Sequence, residues 1–132
     1  MTATLDAPAA VTVEVNVVRE VLFTDEHVQN IVDTAGMWMT YWAASAPRDA
    51  WQGEDVFVFV EVGDGDEDVT HHLTAEQIRQ TWAEIAAGDH AMRSDLLDQF
   101  AEALDEREPD LIDAEAADVL VQLAALGKIT YS

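Results

Sequence analysis

The sequence predicts an α+β fold, a single domain in which a small antiparallel β-sheet carries about four helices packed on it. Three observations lead there. Valines alternate with polar residues in an early period-two run, and two β-rich runs flank an acidic turn in mid-chain. The other segments place apolar residues at helical spacing, and strands and helices do not alternate strictly. A chain of 132 residues suits one core, and with 49% apolar against 25% charged residues it has the means to bury one.

Residues 1–10 are small and polar with Pro8, and read as a flexible N-terminus ahead of a domain spanning 11–132. Val11, Val13, Val15 and Val17 alternate with Thr12, Glu14 and Asn16 as in a half-buried strand, which residues 21–23 extend. Thr24 is placed as an N-cap, with Asp25 and Glu26 at the positive end of the helix dipole. Val28, Ile31, Val32, Ala35, Trp38 or Met39, and Trp42 then give a helix over 25–44 that Pro47 ends. Gly36 inside it marks a kink or a close approach of another backbone.

Residues 56–62, VFVFVEV, pair with 69–73 as a hairpin. Thr74 and Gln77 make a capping box for a helix with Ile78, Trp82 and Ile85 on one face, closed by Gly88. A helix over 94–106 buries Leu97, Phe100, Ala101 and Leu104 before Pro109. Asp113 caps the last helix, whose Ala116, Val119, Leu120, Leu123 and Leu126 form a stripe, with Gly127 past its end. Residues 129–131 read as a short terminal strand.

Charge restricts the function more than any motif does. Asp and Glu number 27 against 6 Lys and Arg, a net charge of −21. Direct binding to DNA or RNA is disfavoured, because it needs Lys and Arg to neutralise phosphates, and anionic lipid surfaces would repel the chain. Without Cys there is no disulfide frame, thiolate metal site or Cys nucleophile. The start, MTATLDAPAA, lacks a signal-peptide pattern, so a cytoplasmic location is expected.

Sites for chemistry are few. Asp64, Gly65, Asp66, Glu67 and Asp68 open like a calcium loop, but Val69 stands at the sixth position and Ala75 at the twelfth, so an acidic hairpin turn is the reading. His71 and His72 point to opposite faces of a strand, and His27 and His90 carry no metal-ligand spacing. No GxSxG elbow and no phosphate-cradling glycine loop with Lys is present. No catalytic residue, metal ligand or cofactor is therefore assigned, and the chain is expected to be no enzyme.

Two segments, TAGMWMTYWA at 34–43 and DAEAADVLVQLAALGKITYS at 113–132, resemble small acidic proteins of unknown function encoded mostly by actinobacterial phages and prophages. The second carries that group's closing pattern at Asp113, Ala114, Asp118, Gln122, Gly127 and Tyr131. Where members of the group tend to carry Gly, this chain has Trp38 or Thr40. The resemblance implies the same order of strand, helix, hairpin and terminal helix, and brings no catalytic residue with it.

The candidate site is a stripe of acids. Asp95, Asp98, Glu102 and Asp105 recur at spacings that put them on one helix face, with a rise of about 5 Å between charges, close to a phosphate repeat. Glu106, Glu108, Asp110, Glu115 and Asp118 continue the negative surface. The expected function is that of a DNA-mimic-like inhibitor or modulator of a basic, nucleic-acid-binding host or defence protein. Two other readings stand beside it. Acidity of this size, well beyond the magnitude of about 2–8 usual for small domains, also suits a salt-rich environment. Alternatively, Trp38, Tyr41 and Trp42 serve a structural or oligomerising accessory protein, including a homodimer. Trp38 and Trp42 continue the apolar helix stripe and are expected in the core, leaving Tyr41 to reach the surface.

Overall fold

The structure is a computed structural model that describes residues 10–15, 19–62 and 68–131. In chain order its elements are β1 (Ala10–Val15), β2 (Arg19–Thr24), α1 (Asp25–Trp38), a 3-10 turn (Met39–Tyr41), β3 (Ala43–Ser45), a second 3-10 turn (Arg48–Ala50), β4 (Asp55–Glu61), β5 (Val69–Thr74), α2 (Ala75–Ala86), α3 (Ser94–Asp105) and α4 (Ala114–Leu126). The class is α+β, with four helices, and the strands are divided between two antiparallel sheets: the pair β1–β2 and the triplet β3–β4–β5 with β4 in the middle. The expected flexible residues 1–9, Val17, and residues 64–67 of the acidic turn lie outside the described residues.

Residues 21–23 fold back on the first strand and do not extend it. Val13 faces Val21 and Val11 faces Phe23 in the β1–β2 register. The alternation breaks at Val18, Arg19 and Glu20, and the return strand restores it with Val21 and Phe23 in the core. Thr24 caps α1 as expected, and His27 completes the box: its Nδ1 accepts the Thr24 N–H at 3.0 Å.

The helix ends at Trp38, well short of residue 44. Met39–Tyr41 tighten into a 3-10 turn, and residues 43–45 leave as β3, pairing Ala43 with Glu61 and Ser45 with Phe59. Two gains explain the early stop. β3 satisfies backbone groups along one edge of β4. The turn also carries Trp42 into the core, at 1% exposure. Met39 takes the buried place on the stripe, and Trp38, expected inside, is 48% exposed.

Helix α4 is enclosed by its neighbours. Residues 116–122 are all buried, because α1, α2, α3 and β5 pack around it, while Leu123 and Leu126 of the expected stripe are only partly buried. On α3 the inner face is formed by Leu96, Phe100, Ala103 and Leu104; Leu97 is half-buried and Ala101 exposed, so the helix is rotated from the expected face. The α2 face is as expected, with Ile78, Trp82 and Ile85 buried behind the Thr74–Gln77 box. Gly127, at φ +78°, turns the chain out of α4. Residues 129–131 then make no strand; the Gln122 side chain binds their backbone instead.

α1 runs unbroken through Gly36, where a Cβ would meet nothing within 4 Å, so no close backbone approach requires the glycine. Gly36→Ala is expected to raise stability by about 0.5–1 kcal/mol, because alanine restricts the unfolded chain and fits the helix. Urea unfolding of the two proteins checks this; a loss of stability would place an unseen constraint at Gly36.

Candidate functional site

Asp118 was expected on the acidic surface, and the structure buries it at 1% exposure. Its Oδ1 accepts the Trp42 indole N–H at 2.9 Å and the Gln122 amide at 3.2 Å, and its Oδ2 accepts the Tyr41 hydroxyl at 2.8 Å. Three donors on one carboxylate suit an acceptor-only group with four lone-pair sites. Asp118 is therefore no contact for a partner. Tyr41 is half-exposed, but its hydroxyl turns inward; burial, then the hydrogen bond and charge of Asp118, raise its pKa well above the usual phenol value. It is a fixed donor.

The same network holds the C-terminal segment. Gln122 donates to the Tyr131 carbonyl at 2.9 Å and accepts from the Thr130 and Tyr131 amides at 2.8 Å each, standing in for a partner strand. Tyr131 stacks on Trp42 with centroids 4.7 Å apart, and its hydroxyl donates to Glu61. His71 also meets Glu61, at 2.9 Å. The bond from Tyr131, then the one from His71, hold the Glu61 carboxyl below the usual carboxylate range. Asp113 caps α4 by accepting the Ala116 N–H at 2.9 Å. The residues of the closing pattern thus cap α4, fill its interior and fasten the segment that follows.

The acids named from the sequence divide into two groups. Asp95 and Glu115 are tied to Arg93, whose Nε and Nη2 grip Asp95 at 2.9 and 2.7 Å while Nη1 and Nη2 grip Glu115 at 2.8 and 2.9 Å. These contacts lower the Asp95 pKa and raise that of Arg93. Asp110 accepts from Asn30 at 2.7 Å. Asp98, Glu102, Asp105, Glu106 and Glu108 form the exposed group, along α3 and just beyond it. Among the described residues, Asp98, Glu102 and Glu106 enter no ion pair.

Beside the start of this face lies a cleft of about 380 Å³. Trp38, Tyr41, Met92, Leu96, Ile129 and Tyr131 give it an apolar, three-ring wall, and Arg93, Glu115 and Asp118 are its polar members. Met92, Leu96 and Ile129 escaped the sequence reading. Their one signal was that they are apolar residues at or near element ends.

The histidines each meet a carboxylate: His72 bonds Asp55 and His90 bonds Glu84, both at 2.9 Å, and His71 bonds Glu61. The fold also brings His27 together with Glu108 and Asp110, with possible ligand atoms within 4.8 Å of one another. That imidazole is committed elsewhere. Because Nδ1 accepts the Thr24 N–H, the ring hydrogen sits on Nε2, the atom facing Glu108 at 3.9 Å. A cation bound there would displace that hydrogen and break the α1 cap.

Comparisons of the chain with family models, curated proteins and solved structures gave no match. Among the described residues no helix is long and apolar enough to cross a membrane.

Glu61 links sheet and C-terminal segment through its charge. Its pKa is lower folded than unfolded, so its contribution is present above the unfolded value and is lost as pH falls through the folded one. Glu61→Gln is expected to cost about 1 kcal/mol at neutral pH, with the gap closing as pH falls from the unfolded glutamate value through the lower folded one, below which both side chains are uncharged. Urea unfolding of both proteins across this range checks the sign; a gap constant down to acid pH contradicts it.

Proposed function

We propose that the chain is a non-enzymatic acidic binding protein whose exposed α3 face engages the cationic surface of a basic, nucleic-acid-binding protein, as a DNA-mimic-like inhibitor or modulator. The observation that carries this is the row Asp98, Glu102 and Glu106, exposed and outside any ion pair among the described residues, along and at the end of a helix whose other side is held by Leu96, Phe100 and Leu104. The fold does not need these charges. Like-charged neighbours on a helix cost about 0.2–0.5 kcal/mol each, so the row lowers stability. With Asp105 between them, these carboxylates step along the helix by about 6, 4.5 and 1.5 Å of rise, a mean of about 4 Å against about 3.4 Å per charge along one strand of a duplex. The resemblance to phage-encoded acidic proteins favours a host or defence protein as the target.

A second reading, an oligomerising accessory protein docking through residues 38–42, is favoured by the half-exposed Trp38 and Tyr41. Salt separates the two, since charge-led association weakens with added salt and aromatic docking does not.

The test immobilises the protein, passes a bacterial lysate over it at about 50 mM salt, and elutes with duplex DNA. The DNA-eluted fraction is expected to hold nucleic-acid-binding proteins, and to vanish for the triple variant Asp98→Asn, Glu102→Gln, Glu106→Gln at unchanged or higher thermal stability. If the variant captures the same proteins, or DNA releases none, the acidic face is a solvated surface and the proposal fails.

A further inference from the structure

The aromatic cleft beside the acidic face has an unbalanced charge. Of its polar members, Glu115 and Asp118 are carboxylates and Arg93 is the cation, with Asp95 bound to that same guanidinium just outside. One positive charge therefore sits against three negative ones. Lys128, next in sequence to Ile129, is not part of the wall. Arg93 also has little to offer an anion: its fork already makes four hydrogen bonds to two carboxylates. The cleft is built for a ligand of the opposite sign.

Its rings point the same way. Trp38 and Tyr41, each about half-exposed, turn apolar surface toward the space between α1, α3 and α4, and Tyr131 closes it from behind, stacked on Trp42. A cation over an aromatic face is attracted by the ring quadrupole, most strongly over Trp. Tyr41 is a better host than an ordinary tyrosine. Its hydroxyl donates at 2.8 Å to the buried Asp118, whose partners among the described residues are all neutral donors, and that bond pushes electron density into the ring. Asp118 does not touch the ligand; its charge acts through Tyr41 in a site that excludes much of the screening water.

Volume and position complete the argument. A space of about 380 Å³ holds a long cationic side chain together with an apolar neighbour. The acidic row of α3 begins at Asp98, about 8 Å of helix rise beyond Arg93, so a chain anchored in the cleft would present its other basic residues to that row. Resting on the acidic-binding reading above, we infer that the cleft is the anchor point of that interface: it takes one arginine or lysine side chain of the basic partner, between Trp38 and Tyr41 with its flanking residue on Leu96 and Ile129.

The test uses two short probes, acetyl-Leu-Arg-amide and its citrulline counterpart, which keeps the shape of arginine without its charge. Each is titrated into the full-length isotope-labelled protein, and amide shifts at Leu96, Glu115 and Ile129 are followed. The arginine probe is expected to move these signals with an affinity about fivefold or more above the citrulline probe, and Trp38→Ala to remove most of that difference. The triple variant of the α3 row is expected to bind the arginine probe as the unaltered protein does. Equal binding of the two probes would make the cleft a plain apolar pocket and overturn the inference while leaving the acidic face standing. Loss of the arginine probe in the triple variant would also overturn it, by moving the cation to the α3 row. Conversely, probe binding that depends on Trp38, combined with lysate capture indifferent to the triple variant, would remove the mimic reading and keep the cleft.

Discussion

The constraint on which the rest of the structure depends is the burial of one carboxylate, Asp118, in a chain whose net charge is −21. Taking an ion out of water costs several kcal/mol unless its lone pairs are met, and among the described residues it is Tyr41, Trp42 and Gln122, not a cation, that meet them. Each donor then fixes another part of the fold. Trp42 can reach Asp118 only if α1 stops early and the 3-10 turn swings the chain inward, and that exit delivers residues 43–45 to the edge of β4. Gln122, on the same face of α4 one turn later, spends its remaining groups on the backbone of residues 130 and 131. Tyr131 is thereby laid on Trp42 and brought to Glu61 of β4. Helix α1, helix α4, the three-stranded sheet and the C-terminal segment meet at one buried acid.

This divides the carboxylates by role. Asp118 and Glu61 are cross-links, Asp113 is a cap, and Asp95 and Glu115 are bound to Arg93. On α3, Asp98 and Glu102 face solvent outside any ion pair among the described residues, and as like charges one turn apart they repel. The aromatic cleft sits where the two groups meet, with Asp118 behind one wall and Arg93 with its carboxylates on the rim.

The fold was legible where the signal was local. The Thr24, Thr74 and Asp113 caps, the β4–β5 hairpin and the αL Gly127 are each settled within a few residues, and all are where the sequence puts them. The exposure of Asp98, Glu102 and Asp105 on α3 was legible for the same reason: helical spacing needs no tertiary information. What failed was long-range. A period-two run cannot say whether Val21 continues a strand or returns beside it. A helical stripe cannot tell Trp38 from Met39 once the helix ends early. Asp118 reads as one acid among many because two of its three donors lie 76 and 77 residues away in the chain and the third one helix turn on, and pairing is not a property of the pattern. The closing pattern of Asp, Gln, Gly and Tyr did single out Asp118, Gln122 and Tyr131, but as a signature without a physical role.

The sign of the stability change at Asp118 tests the account most directly. Neutralising a surface acid in a chain this negative relieves repulsion, whereas Asp118→Asn places an amide N–H against donors that need an acceptor. Urea unfolding followed by tryptophan fluorescence is predicted to show a loss of about 2–3 kcal/mol, since a buried network is left with unmatched donors. Unchanged or increased stability for Asp118→Asn would contradict the account and return Asp118 to the exposed acidic surface.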